Sequence, residues 1–192
     1  MYEGFYTLVD RAIKRGDRIH EEFETNMQHA QANYAGQLFA DKQKEILNRY
    51  DNSLQALIDK ARADLDALYE TVKERLKARF SFKASGDIPS MDMLRAIDLT
   101  KNEVEALVEQ YRGNYPARNS ILKAAQEKGI ETDGIPTLDA AYKNLDDIRA
   151  YSWNIIEGIK TNNDAVIGIS LPYLEYEIAN GENLLNGKAL PQ

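Results

Sequence analysis

Apolar residues recur every eleven positions between Ile46 and Phe80. Four parallel rows keep this period: Ile46, Leu57 and Leu68; Leu47, Ile58, Tyr69 and Phe80; Tyr50, Ala61 and Val72; and Leu54, Leu65 and Leu76. Eleven residues complete three helical turns at about 3.67 residues per turn, close to the value of about 3.6 for a straight α-helix. A looser stripe with steps of three and four extends back to Ile19. The pattern predicts one long, coiled-coil-like amphipathic helix from Asp17 to Phe80.

A helix of this length has an apolar side that a small globule cannot cover. At about 1.5 Å per residue it would span roughly 95 Å. Burial of each large aliphatic side chain stabilises a protein by about 1.5–3 kcal/mol, so a second long element should lie against the stripe. We therefore predict a homo-oligomer with eight partner-facing residues: Tyr50, Leu54, Leu57, Ile58, Leu65, Leu68, Val72 and Leu76.

Three places in the predicted helix contain residues that weaken it. Gly36 is about 1 kcal/mol less favourable in a helix than alanine. The polar run Asp41-Lys42-Gln43-Lys44 interrupts the stripe, and whether the helix continues through it and through Gly36 stays open. Asp51-Asn52-Ser53 are poor helix formers, but Tyr50 and Leu54 keep the eleven-residue rows on either side of them. The helix is therefore expected to be continuous at Asn52.

The residues ahead of the long helix predict a short helix over residues 3–15 that ends at Gly16. Arg15-Gly16-Asp17 spells the tripeptide that integrins bind when it is displayed on a tight loop. Here Gly16 is expected to be a break and Asp17 the N-cap of the long helix, with Glu21 and Glu22 in its first turns. The tripeptide therefore favours a helix boundary over adhesion.

The best domain boundary is predicted at Ser85-Gly86, because Pro89 prevents the helix from resuming at once. It gives an N-terminal domain over residues 1–85 and a C-terminal helical domain over residues 86–192. Helix starts are predicted there at four positions: Ser90, the capping box Thr100–Glu103, Pro116 and Thr137. Residues 165–169 fit either a short strand or a buried coil, and a last helix is expected to start at Ser170-Leu171-Pro172. The predicted fold class is all-α, with one very long amphipathic helix and a smaller C-terminal helical bundle.

The charge of the chain is concentrated in its second half. Residues 1–85 contain 14 acids and 14 bases, whereas residues 86–192 contain 17 acids and 10 bases, which accounts for the whole net charge of −7. An acidic surface disfavours phosphate-backbone partners, so no nucleic acid is expected. The sequence also contains no apolar run long enough for a membrane span and no leader pattern. With no cysteine among its 192 residues, the chain is expected to be cytoplasmic and to bind no membrane.

Residue patterns that carry catalysis are missing from the sequence. We find no nucleophile elbow, phosphate-binding glycine loop, dinucleotide fingerprint or aspartate-rich calcium loop. His20 and His29, nine residues apart, point to opposite sides of a helix, and Asn26 stands where a di-metal bundle site would have a glutamate. We therefore expect no catalytic residue, no cofactor and no metal, and predict that the protein is not an enzyme. An enzyme that lacks any local motif is the least favoured alternative.

Aromatic residues cluster in the second half of the chain, at Tyr142, Tyr151, Trp153, Tyr173 and Tyr176. Tyrosine and tryptophan favour positions that are half buried and half wet, including interfaces. These residues either seal the C-terminal helices onto the long helix or form a partner surface. The second possibility predicts a monomeric helical module whose acidic, tyrosine-rich surface binds a protein or peptide.

The segment from Leu99-Thr100-Lys101-Asn102-Glu103 to Tyr111-Arg112-Gly113-Asn114-Tyr115 precedes an alanine-rich helix that ends at Glu127-Lys128-Gly129-Ile130. This arrangement resembles small helical proteins encoded in phages and prophages of Gram-positive bacteria. The resemblance implies a virion-assembly or head-associated accessory protein without catalytic activity, with other virion proteins as partners and the virion as a location. Our first hypothesis is therefore a structural or assembly protein that self-associates through the long helix.

Overall fold

The computed structural model describes residues 1–80, 90–111, 114–132 and 138–185. These residues form α-helices and no strand. The helices are α1 (Glu3–Asn33), α2 (Gly36–Phe80), α3 (Met91–Ala96), α4 (Lys101–Gln110), α5 (Tyr115–Glu127), α6 (Leu138–Lys160) and α7 (Asp164–Leu185). The predicted fold class, all-α with a very long amphipathic helix and a smaller C-terminal helical bundle, is confirmed.

The chain divides into two compact units, each assembled from two segments. Unit 1 consists of Met1–Glu70 and Asp146–Ile178, and unit 2 consists of Thr71–Leu145 and Ala179–Gln192. Each unit therefore draws residues from both sides of residue 85. The predicted boundary at Ser85-Gly86 and Pro89 lies outside the described residues.

Helix α1 passes without interruption through Gly16, where the sequence predicted a break. Gly16 is buried, and a Cβ placed on it would lie only 2.5 Å from Cγ2 of Ile159. Glycine is thus required by the close approach of α1 to α6 rather than by a turn. The Arg15-Gly16-Asp17 tripeptide lies inside a helix and not on an exposed loop.

The long amphipathic stretch is interrupted at Tyr34 and Ala35. Tyr34 is extended (φ −128°, ψ 151°), and Gly36 begins α2 with a φ of +57°, a left-handed value that glycine adopts without penalty. The prediction of one helix from Asp17 to Phe80 is therefore wrong at this point. The predicted continuity at Asn52 is confirmed, and α2 also continues through Lys42, which the sequence left open.

Helices α1 and α2 form an antiparallel hairpin. A Cβ placed on Gly4 would lie 3.3 Å from the side chain of Leu68, whereas the rings of Phe23 and Tyr50 lie 4.5 Å apart. The Tyr50 hydroxyl is also hydrogen bonded to Nδ1 of His20 at 2.9 Å. Positions early in α1 thus meet positions late in α2, as the reversal at Gly36 requires.

Helices α6 and α7 complete unit 1 and bury the half of the hairpin that lies away from its turn at Gly36. The core is apolar, and its fully buried large side chains include Phe5, Ile58, Leu65, Ile148, Ile155, Ile156 and Leu174. The far half, residues 17–53, contains a single buried residue, Ala30. The hairpin therefore extends beyond the α6–α7 cover, with Leu38 66% exposed.

The helix starts in unit 2 agree with the sequence prediction wherever the described residues include them. Ser90 Oγ accepts a hydrogen bond from the Met93 amide at 3.1 Å, and the Thr100 amide donates to the Glu103 carboxylate at 2.7 Å. Thr137 lies outside the described residues. Helices α3, α4 and α5 enclose a small apolar core formed by Leu94, Val104, Val108, Ile121, Leu122, Ala124 and Ala125.

Residues 165–169 belong to α7, so both the strand and the buried coil are wrong. The helix is capped by Asn163, whose Oδ1 accepts a hydrogen bond from the Val166 amide at 3.2 Å. Pro172 lies inside the helix rather than at its start. Because Pro172 and Gly168 are both exposed, water can reach the Gly168 carbonyl that proline leaves without its helical donor.

Candidate functional site: an aromatic, acidic face on helix α7

Six of the eight predicted partner-facing residues are buried in the chain itself: Leu54, Leu57, Ile58, Leu65, Val72 and Leu76. The other two, Tyr50 and Leu68, are half buried and meet α1 at Phe23 and Gly4. The prediction that this stripe faces a partner therefore has to be corrected. It assumed an unbroken rod, whereas the reversal at Gly36 turns α1 back onto α2. A partner surface must be sought elsewhere.

An arginine joins α2 to α6 through two kinds of contact at once. The Arg62 guanidinium lies 4.6 Å from the centre of the Trp153 ring and donates a hydrogen bond to the Glu157 carboxylate. The ring attracts the cation through its negative face, and the carboxylate neutralises its charge. We call this combination an arginine–aromatic–carboxylate contact.

A second contact of this kind lies one to two turns away. Arg149 of α6 lies 4.7 Å from the centre of the Tyr69 ring and donates to Oδ1 of Asp66 at 2.7 Å. The Tyr69 hydroxyl donates to Oδ1 of Asp146 at 2.6 Å. This hydrogen bond, with burial and the nearby negative charge, raises the pKa of Tyr69 to about 12. The register of α2 against α6 is thus fixed by polar contacts as well as by the apolar core.

The bond between Tyr69 and Asp146 predicts a loss of stability in alkali. An unfolded tyrosine has a pKa of about 10, so the bond contributes fully below pH 10 and is lost as the pH rises through about 12. The variant Tyr69→Phe should lack this part of the pH dependence. Urea midpoints measured between pH 9 and pH 12 test it, with Tyr6→Phe as the control at an exposed tyrosine. If the urea midpoint fell with pH equally steeply in wild type and Tyr69→Phe, the bond between Tyr69 and Asp146 would not be the cause of the alkaline loss of stability.

Helix α7 presents large apolar side chains to solvent. Ile169 is 64% exposed, Tyr173 53% and Tyr176 48%, and their spacings of four and three place them on one side of the helix. Pro172, on the same side, is also exposed. We call Ile169, Pro172, Tyr173 and Tyr176 the α7 face. Large apolar side chains exposed together on one side of a helix are characteristic of a binding surface.

Tyr151 of α6 extends the α7 face sideways. Its ring stacks on that of Tyr173, with centroids 5.4 Å apart and planes 11° from parallel. Burial raises the pKa of Tyr151, and the negative charges of Glu177 and Asp147 raise it further. The stacking holds Tyr173 in place, so the aromatic surface is ordered before any partner arrives.

The surroundings of the α7 face are acidic. Between Asp164 and Ile178 the helix carries Asp164, Glu175 and Glu177 and has no lysine or arginine. Asp147 of α6 is close enough to influence Tyr151. Carboxylates therefore lie beside the aromatic rings of the face, and rings and carboxylates are the two groups that Arg62 and Arg149 contact elsewhere in unit 1.

Groups suited to metal binding are missing from the part of the chain that the structure describes. No three His, Asp or Glu side chains there are arranged to hold an ion. His20 is hydrogen bonded to Tyr50, and His29 is exposed on α1. Within the same residues, no helix is both long and apolar enough to cross a bilayer.

The sequence identified part of this surface. Of the five clustered aromatic residues, Tyr151, Tyr173 and Tyr176 meet on or beside the α7 face, Trp153 contacts Arg62, and Tyr142 belongs to unit 2. Ile169 was missed because residues 165–169 were assigned to a strand or coil. Helical spacing counted from Asp164 would have placed Ile169 beside Tyr173 and Tyr176.

The chain was also compared with known proteins. No protein-family model matches the sequence, and neither a curated protein nor a solved structure matches it. The resemblance to phage-encoded accessory proteins therefore stays a prediction.

Proposed function

We propose that the protein is a non-enzymatic helical binding and assembly protein that takes a basic segment of a protein partner on its α7 face. The observation that supports this best is the exposure of Ile169, Tyr173 and Tyr176 in one patch on a helix segment whose only charges are negative. Tyrosine at the centre of an interface supplies a large contact area at low entropic cost.

Charge defines which partner fits. Carboxylates around an aromatic patch attract a cationic partner over a distance of about a Debye length and repel an anionic one. Arginine suits the patch best, because it can lie on a ring and donate to a carboxylate together. Arg62 and Arg149 already make such contacts inside unit 1.

Assembly is the setting that this proposal favours. The resemblance stated above implies virion assembly, in which accessory proteins act by contact with other proteins and not by catalysis. Binding at the α7 face requires no cofactor and no reaction. The proposal thus keeps the predicted assembly role but assigns the binding to the α7 face instead of the α2 stripe.

A synthetic amphipathic helical peptide of leucine and lysine tests the proposal. Fluorescence anisotropy should show that the labelled peptide binds the wild-type chain and that Tyr173→Ala/Tyr176→Ala binds it more than tenfold less tightly, as expected for aromatic anchors. Glu175→Gln/Glu177→Gln should weaken binding and reduce its dependence on salt. Tyr6→Ala, which removes a 37% exposed tyrosine of α1, should bind like wild type.

A peptide of the same length made of leucine and glutamate serves as the ligand control and should not bind. Far-UV circular dichroism should show all variants equally helical, since the substituted side chains are exposed or half buried. Equal affinity of the wild type and Tyr173→Ala/Tyr176→Ala for the leucine–lysine peptide would overturn the proposed function.

A further inference from the structure

Helix α1 carries a basic stripe on the side that faces solvent. Arg11, Lys14, Arg15 and Arg18 are all exposed, and their spacings of three, one and three place them on one side of the helix. Together with Asn52 and Ser53 of α2 they line an open groove of about 850 Å³. We call these four cations the α1 stripe.

The groove keeps a positive charge after its acids are counted. Asp10 and Glu22 are the two acids among the described lining residues, against the four cations of the α1 stripe. Lys14 is bonded to Asp10 at 2.8 Å, which leaves three arginines facing a single glutamate. Those lining residues include no aromatic ring.

The α1 stripe and the α7 face are complementary halves of the contact that holds α2 against α6. Inside unit 1, Arg62 lies on Trp153 and bonds to a carboxylate. The α7 face carries exposed rings with the exposed Glu175 beside them on the same helix, whereas exposed arginines lie together on the α1 stripe. Neither set of residues includes all three groups of the arginine–aromatic–carboxylate contact.

We propose that the partner bound at the α7 face is a second copy of this chain, which binds through its α1 stripe. The inference rests on the proposed function and names its partner. Arginines of one copy would lie on Tyr173 and Tyr176 of the other and donate to Glu175. Because the two surfaces differ, each copy keeps one of them open for a further copy unless the pair closes reciprocally.

Molecular mass in solution tests the inference on the full-length chain. In low salt the mass measured by sedimentation should rise with concentration above the 21.8 kDa of one chain. In about 1 M salt, where the Debye length is about 3 Å, it should return to that of one chain. Arg11→Glu/Arg15→Glu should weaken association more than tenfold. Lys44→Glu/Lys77→Glu, which reverses two exposed cations elsewhere on α2, should associate like wild type.

A mixture of two defective variants gives the decisive result. Arg11→Glu/Arg15→Glu keeps its α7 face, and Tyr173→Ala/Tyr176→Ala keeps its α1 stripe. Each variant alone should stay monomeric in low salt, but their mixture should form a 1:1 heterodimer. A mixture that stays monomeric, or a variant that still assembles alone, would overturn the inference.

The two proposals fail in different ways. A wild-type chain that is monomeric at every concentration but binds the leucine–lysine peptide through Tyr173 and Tyr176 would leave the proposed function standing. That outcome would overturn the second copy as partner and indicate a foreign basic protein. A wild-type chain that neither binds the leucine–lysine peptide nor self-associates would overturn both proposals.

Discussion

Leu65→Asp is expected to unfold unit 1. Leu65 lies in the middle of α2 and has no exposed surface, so the substitution places a carboxylate in the apolar core of unit 1. A buried unpaired charge destabilises by more than about 4 kcal/mol, which is comparable with the whole stability of an average domain at about 5–15 kcal/mol. Far-UV circular dichroism should show a large loss of helix at 25 °C, or a melting temperature lowered by well over 10 °C.

Leu38→Asp makes the same chemical change on the same helix and serves as the control. Leu38 is 66% exposed, so its replacement should change the unfolding free energy by no more than about 0.5 kcal/mol. The pair also tests the original hypothesis that the α2 stripe faces a partner. If Leu65→Asp remained fully helical and merely lost an oligomer, the burial of the stripe within the chain would be refuted.

Gly16→Ala should destabilise the protein although it replaces glycine within a helix. In an exposed helix the change would stabilise by about 1 kcal/mol. At Gly16 the new Cβ would lie 2.5 Å from Cγ2 of Ile159, so α1 and α6 must separate or Ile159 must leave its rotamer. Overpacking of this kind costs about 1–3 kcal/mol. Urea unfolding should therefore show a lower midpoint with an unchanged slope.

Gly168→Ala supplies the matched control, because a Cβ on this glycine of α7 would meet nothing within 4 Å. It should stabilise by up to about 1 kcal/mol. A double-mutant cycle identifies the cause at Gly16. In an Ile159→Ala background, where Cγ2 is gone, Gly16→Ala should lose most of its destabilising effect. An equal loss of stability in both backgrounds would show that Ile159 is not the obstacle.

The sequence predicted the features of the fold that depend on neighbours along the chain. The caps at Ser90 and Thr100 and the stop after Glu127 depend on side chains within a few residues, so their pattern is visible in the sequence. The period of the α2 stripe likewise reports helix and an apolar side. The continuity of α2 across Asn52 was predicted for the same reason, whereas its continuation through Lys42 was left open.

The wrong predictions concern positions whose conformation or burial depends on residues distant in the sequence. Gly16 and Gly36 are both glycines inside an amphipathic pattern, yet one meets Ile159 and the other reverses the chain at a positive φ. Nothing local to either position distinguishes a close approach from a turn. The period of the α2 stripe does not tell which element covers it, and this is why its residues were assigned to a partner when helices of the same chain bury most of them.

The candidate site was recovered only in part. Tyrosine content pointed to Tyr151, Tyr173 and Tyr176, because these residue types favour half-wet positions wherever they occur. Ile169 was not predicted as part of the site, because the helix that carries it was not predicted over residues 165–169. Gly168 and Pro172, taken alone, both disfavour a helix there. The α1 stripe was passed over because its four cations stand among acids in the sequence and separate from them only on the folded helix.

The far half of the hairpin behaves differently from the rest of unit 1. Between residues 17 and 53, α1 and α2 pack mainly against each other, and Ala30 is the single buried residue. Opening such a segment exposes little apolar area, so it requires far less free energy than global unfolding. Its backbone amides will therefore take up deuterium early, and a protease will find its first cleavage site there while α6 and α7 still hold their partners.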